Sequence, residues 1–336
     1  MEEKEETNYE ISHDDEMSSH KLLQKFAVDV LTGLSQPLKW LPTEYIYDET
    51  GSMLFQQITT LPEYYLTRCE TEILERSKGE LREIIDAREF NLVELGAGDG
   101  KKTKILLGDF LDHQLTFRYI PIDISQSALE ESMANLSREL PGLTMQGLVA
   151  EYFNGLKRLA RLNTRKNIVL FLGSNIGNFN PPRIGLFLSG LWHALNNRDY
   201  VMIGFDLKKD IKKMIAAYND KQGVTARFNL NLLHRINNEL GGRFDLERFR
   251  YYSTYDVVKG AMQSYLVSLK DQDVYIDELK RSFNFKAWEP VHTESSYKFH
   301  IGEIERIARE NHFEIVSHFF DAEKNFVDSL WRVKKD

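Results

Sequence analysis

A single cysteine, Cys69, among 336 residues excludes an internal disulfide, and no cysteine and histidine cluster has the spacing of zinc ligands. No run of about 18 apolar residues occurs, so a spanning helix is not expected. The N-terminus also lacks a basic stretch followed by an apolar core, so neither is secretion. Basic residues are outnumbered, 43 against 51 acidic, and the formal charge of −8 is opposite to a nucleic-acid footprint. A monomeric, metal-free protein of a reducing cytoplasm, with a small-molecule partner and neither nucleic acid nor membrane, is the expectation.

What is present is an ordinary globular composition, 42% hydrophobic and 28% charged. The chain exceeds a typical single core, which points to a large α/β unit with a smaller second domain. Residues 1–20, opening MEEKEETNYEISHDDE, read as a solvated, disordered acidic tail.

Five β-rich stretches, at 91–95, 118–124, 143–149, 168–172 and 200–205, alternate with helical patterns, which predicts a parallel sheet with helices on both faces. Ser127 with Glu130 reads as a capping box opening SALEESMANLSREL, closed by Pro141-Gly142. Pro182 suits a first helical turn, and Ile184, Phe187, Leu188, Leu191 and Leu195 recur at helical spacing as core. After Asp206 the alternation stops, and AMQSYLVSL and DVYID suggest a separate helix-and-meander lobe. The chain closes with a helix at 301–311 and strands at 313–319 and 326–333. Without a helix between them, those last two strands cannot both be parallel neighbours, so one runs antiparallel. By analogy this is the class I methyltransferase architecture, a Rossmann-like α/β fold of seven strands with one reversed.

The segment NLVELGAGDGKKTKILL places Gly96, Gly98 and Gly100 between a strand and a helix. Glycines there permit a tight turn against which a ligand can lie. The spacing is G-x-G-x-G, short of the dinucleotide fingerprint, and a Walker loop does not fit. The next strand ends at Asp123, where a carboxylate can accept both hydroxyls of a ribose. Glycine turn and Asp123 together indicate a nucleoside-bearing cofactor, with Glu151 and Tyr152 falling where an adenine would be held. Taken singly, Asp123 is equally a helix cap, and Glu151 with Tyr152 read first as surface and packing.

In order along the chain, LPTEYIYDETGSMLFQQITTLPEYYLTRCETEIL, VELGAGDGKKTKIL, FLGSNIGN and TESSYK carry a pattern. It resembles the ergothioneine-pathway histidine Nα-methyltransferases (EgtD type) from about Leu41 to Val333. The resemblance implies an S-adenosylmethionine-binding domain at 71–208 and 298–336. It further implies an α+β substrate-binding domain at 21–70 and 209–297. Gly96, Lys102, Asp123, Glu151 and Tyr152 would contact S-adenosylmethionine, although Glu151-Tyr152 stands where the family commonly has Asp-Phe. Gly173 would form the floor of the site. Tyr64, Gly173, Asn178, Tyr218, Glu294, Ser295 and Ser296 would bind substrate, with Asn178 and Tyr47 as the catalytic pair.

In that reading Asn178 and Tyr47 accept N–H groups of the α-amine, Tyr64 and Tyr218 bond the carboxylate, and Glu294 and Ser296 meet the imidazole. Tyrosine faces would stabilise the methylated ammonium by cation–π attraction. Serine at 264 departs from the methionine frequent in the family and polarises or enlarges that end of the pocket. His292, two residues before Glu294, reads as structural. Competing readings are a nicotinamide oxidoreductase, a non-catalytic module that keeps the cofactor pocket, and the same chemistry on another amino acid such as a tryptophan derivative.

Overall fold

The central apolar runs lack alternation because both faces of their strands are covered. Leu92, Val93, Ile168, Val169, Val201 and Ile203 are each 0% exposed in the computed structural model of the chain. That structure describes residues 9–13, 19–85, 89–160 and 165–335.

The strands in chain order are β1 (Tyr9–His13), β2 (Glu89–Leu95), β3 (Thr116–Asp123), β4 (Met145–Val149), β5 (Lys166–Phe171), β6 (Tyr200–Asp206), β7 (Phe249–Asp256), β8 (Ala261–Ser268), β9 (Gln272–Ile276), β10 (Arg281–Phe285), β11 (Pro290–Tyr297), β12 (Phe313–Phe320) and β13 (Phe326–Val333). They fall into two units, one of residues 1–14, 66–208 and 298–336, the other of 15–65 and 209–297. Residues 66–70, expected with the second domain, therefore belong to the first.

The first unit holds one sheet in the order β1-β4-β3-β2-β5-β6-β13-β12. Only β13 is reversed, pairing antiparallel with both β6 and β12, because residues 321–325 are too few for a parallel crossover. From β2 the chain winds outward through β3 to β4, and from β5 it winds the other way to β6. The switch between β2 and β5 opens a crevice at the strands' carboxyl ends, the usual place for a ligand in such sheets.

Two expectations are corrected here. Part of the acidic tail is ordered: β1 runs parallel to β4 from Tyr9↔Met145 to His13↔Val149, making eight strands rather than seven. YEISH alternates apolar and polar residues and supplies the pairing that the edge of β4 would otherwise lack. Ser19 and His20, the last two residues of that expected tail, open the helix Ser19–Leu34, and residues 1–8 and 14–18 lie outside the described residues. Second, the helix Gln126–Glu139 is capped by Ser125, whose side chain accepts from Ala128 N–H, not by the expected Ser127 and Glu130. Ser125 has the extended backbone a cap requires, and Ser127 is already helical. By contrast the helix Pro181–Ala194 starts where its prolines predict, with Asn180 capping Arg183 N–H.

In the second unit the helix Val224–Leu240 buries Phe228, Leu232, Leu233 and Ile236. Its sheet β11-β8-β7 is antiparallel throughout, and β9 and β10 form a separate hairpin. In β7, Phe249, Tyr251 and Ser253 are buried while Arg250 and Tyr252 are exposed, the alternation of a sheet covered on one face. A register shift between His292 and Glu294 leaves Thr293 as a bulge in β11.

Candidate active site

In the first unit the chain leaves β2 through Gly96 and Gly98 at φ +74° and +56°, conformations that glycine adopts without strain. A Cβ on Gly96 would come within 2.8 Å of the Tyr152 hydroxyl, so close approach as well as φ requires glycine there. At Gly98 a Cβ would meet no protein atom within 4 Å, so its open side can lie against a ligand. The carboxylate of Asp123 accepts the Gly98 N–H at 2.9 Å and the Ser125 N–H at 2.9 Å. It thus ties the end of β3 to the glycine turn, and each oxygen keeps a second lone pair for a hydroxyl. Burial raises the Asp123 carboxyl above its ordinary range against the pull of those backbone N–H groups.

Beneath the turn, burial pushes Glu94 up to about 7, opposed by the Thr103 hydroxyl donating at 2.6 Å and by the Tyr119 hydroxyl. Glu151 is the N-cap residue of the helix Tyr152–Leu159. The Tyr152 ring stands edge-on to Phe171 at 5.2 Å, and burial followed by the charge of Asp123 raises its hydroxyl pKa. An open glycine backbone, a strand-end carboxylate and a flanking aromatic fit the nucleoside and amino-acid parts of S-adenosylmethionine.

The segment after β5 carries Gly173 at φ +75° and Ser174 at φ +57°, then the short turn Asn175–Asn178. It is held from two sides, with the Gly173 N–H donating to Glu70 at 2.6 Å and the Asp206 N–H donating to the Ser174 hydroxyl at 3.1 Å. Lys102 pairs with the other Glu70 oxygen, and its ammonium lies 3.5 Å from where a Gly173 Cβ would be. Asn175 places its amide nitrogen beside both Gly96 and Gly173. The structure thus brings Gly96, Lys102, Tyr152, Gly173 and Asn175 into one neighbourhood, with Asn178 at the other end of the same short turn.

The second unit gathers another set. Asp48 caps the helix Glu49–Thr59 through Gly51 N–H and accepts from Asn231, which fixes the backbone next to Tyr47. The Tyr47 ring meets Phe55 and Phe228 edge-on, at 5.6 and 5.3 Å, and Phe55 in turn meets Tyr64. The Tyr218 hydroxyl donates to Ser296 at 2.8 Å. Tyr251 donates to the Tyr218 carbonyl at 2.9 Å and lies 3.1 Å from the Ser264 hydroxyl, while Ser264 sits opposite Glu294 in the sheet. Burial, and then the Glu294 charge, raise the Tyr251 phenol pKa, so it remains a neutral donor.

Ser295 is the expected substrate residue that this arrangement turns away. Successive side chains on a strand face opposite sides, and Ser295 donates to Gln263 and contacts the His292 ring at 3.0 Å, away from Glu294 and Ser296. The Thr293 bulge shifts His292 onto the Ser295 side, so His292 does not join Glu294. Glu70, Tyr251 and Asn175 escaped the sequence reading because a lone carboxylate, phenol or amide carries no motif. For Glu70 alone, an acidic side chain turned inward on an otherwise amphipathic helix was a signal.

Among the described residues no group of three or more His, Cys, Asp or Glu side chains could hold a metal ion, and no helix is long and apolar enough to cross a membrane. The histidine N-alpha-methyltransferase of Mycolicibacterium smegmatis is 38% identical over 271 residues, covering 81% of this chain and 83% of that protein. The enzyme of the same name from Mycobacterium tuberculosis is 36% identical over 289 residues, covering 86% and 88%. Ergothioneine biosynthesis protein 1 of Neurospora crassa is 33% identical over 273 residues, 80% of this chain but 30% of that longer protein. The nicotinamide reading falls with these matches, as the G-x-G-x-G spacing already suggested. A sequence profile described as "Histidine-specific methyltransferase, SAM-dependent" matches residues 26–333, and the chain belongs to that family.

Proposed function

We propose that this protein methylates the α-amino group of free histidine, repeatedly, to the quaternary trimethylammonium product. The observation that carries the reading is the polar set Tyr251, Ser264, Glu294 and Ser296 on the sheet β11-β8-β7 of the second unit, joined by Tyr218 through hydrogen bonds to Ser296 and Tyr251. S-adenosylmethionine, when bound, supplies an electrophilic methyl on a sulfonium. Gly96, Gly98, Lys102, Asp123, Glu151, Tyr152 and Gly173 are the residues that would hold it.

The remaining work falls to positioning. The Asn178 side-chain oxygen accepts one N–H of the neutral α-amine, and the Tyr47 hydroxyl accepts a second, so that the nitrogen lone pair is aimed. A C–N bond forms as the C–S bond breaks, and the positive charge moves from sulfur to nitrogen. Neither group is a strong base, so the amine loses its proton to solvent between transfers. As methyls accumulate, the faces of Tyr47 and Tyr64 stabilise the ammonium by cation–π attraction. Tyr64 donates to the substrate carboxylate and the Tyr218 hydroxyl turns from Ser296 to join it, while Glu294 accepts the imidazole N–H and Ser296, released from Tyr218, bonds the other ring nitrogen. A substrate without that N–H forfeits its bond to Glu294, at a cost of about 1 to 3 kcal/mol, which favours histidine over apolar amino acids.

The test is incubation with S-adenosylmethionine and each free amino acid, with products identified by mass spectrometry. Histidine alone is expected to gain methyls. Preferential methylation of tryptophan or another amino acid would overturn the assignment of Glu294 while keeping the chemistry. No transfer to any of them would favour a non-catalytic binding module.

A further inference from the structure

Around Lys102 the described residues of the first unit bury three carboxyl groups against one ammonium. Glu70, on the helix Tyr65–Ile85, is 1% exposed, Asp328 on β13 is 0% exposed and Glu94 on β2 is 3% exposed. All three interact electrostatically with the single ammonium of Lys102. Glu70 spends both oxygens, one on the Gly173 N–H and the other on Lys102. Glu94 is satisfied by two hydroxyl donors. Asp328 has no hydrogen-bond donor on either oxygen. Yet Asp328 faces Gly204 across the β6–β13 pair, and its Oδ1 converges with Glu70 Oε1 on the point where a Gly204 Cβ would stand.

Two adjacent carboxylates cannot both keep their charge in a dry interior, and the one without a donor is the one that keeps a proton. We propose that Asp328 is held as the neutral acid and donates its proton to Glu70, and that this carboxyl pair is the positioning device keeping Lys102 and the Gly173–Asn178 segment in place for methyl transfer. Burial, and then the neighbouring Glu70, raise the Asp328 carboxyl well above its usual range, in the same sense. Gly204 is required because a side chain there would occupy the meeting point of the two carboxyl groups. Glu70 and Asp328 touch neither the amine nor the methyl; they act through the Gly173 backbone and Lys102. The proposal deepens the methyl-transfer reading of this segment and rests on it.

The test uses the full chain, and its two deciding readouts need no histidine. Infrared spectra at neutral pH should contain the C=O stretch of a protonated carboxylic acid that disappears in Asp328→Asn and persists in Glu94→Gln. Calorimetric titration with S-adenosylhomocysteine should rank Asp328→Asn, whose amide still donates to Glu70, at least tenfold tighter than Asp328→Leu, which fills the space without a donor. Glu70→Gln, which keeps an acceptor for Gly173 but loses the charge on Lys102, should lower kcat about tenfold. A wild-type spectrum with no band sensitive to Asp328→Asn would overturn the proposal, as would Asp328→Leu binding as tightly as Asp328→Asn. If Asp328→Leu does not fold, the infrared comparison decides alone. A failure of the histidine assignment would leave both histidine-free readouts unchanged, so the two ideas fail separately.

Discussion

Glu294 is one carboxylate asked to choose a substrate. The account gives it the imidazole N–H, so Glu294→Ala should weaken histidine binding about 10- to 100-fold while cofactor affinity stays within about twofold, measured by separate calorimetric titrations. An equal loss for both ligands would mean a general disturbance of the fold. Tyr251→Phe removes the donor to the Tyr218 carbonyl and the contact with Ser264. The KM for histidine should rise about fivefold with kcat nearly unchanged, in the manner of lost ground-state positioning.

Glu94 makes a prediction about pH. Burial raises its folded carboxyl from 4.5 to about 7, so between these values the folded state keeps a proton that the unfolded chain releases. Its stabilising contribution is therefore full below about pH 4.5 and is lost as pH rises through 7. The melting temperature of wild type should fall more steeply from pH 5 to 8 than that of Glu94→Gln, whose neutral amide has no proton to lose. Parallel curves would contradict the assignment.

At the scale of elements, the sequence signals that worked were those carried by a single continuous segment. Continuous apolar runs marked β2 to β6, prolines marked the start of the helix Pro181–Ala194, and the short link at 321–325 fixed the reversal of β13. Signals that depend on partners were silent. Nothing in YEISH says that β4 lies waiting at a sheet edge, and the Thr293 bulge that parts Ser295 and His292 from Glu294 exists only in the pairing of β11 with β8. The cap Asp48 is a further case: a serviceable helix start by type, it also takes a hydrogen bond from Asn231, far along the chain. Asp48→Ala loses both bonds and should cost about 2 kcal/mol of stability in urea denaturation. A change under about 0.5 kcal/mol would show that neither bond contributes.

Over the whole molecule, what can be read from residue order is the arrangement of motifs, because each proposed role lies in a segment long enough to be specific. FLGSNIGN carries the turn of Asn178, and TESSYK carries Glu294 and Ser296. The supporting charges are not written that way. Glu70 and Lys102 stand 32 residues apart and Asp328 lies near the other end of the chain, so they become a group only when the helix Tyr65–Ile85, the glycine turn and β13 fold together. A reading by motif finds the groups proposed to touch ligands and misses those that hold them.

The claim on which the account turns is that the α-amine, not the ring, receives the methyl. Incubation of histidine with S-adenosylmethionine carrying a 13C-labelled methyl, followed by carbon NMR of the product, locates the label directly. The account predicts label on the α-nitrogen alone, progressing to three equivalent methyls. Label on an imidazole nitrogen would contradict it, because the ring would then lie where the amine is placed beside Asn178.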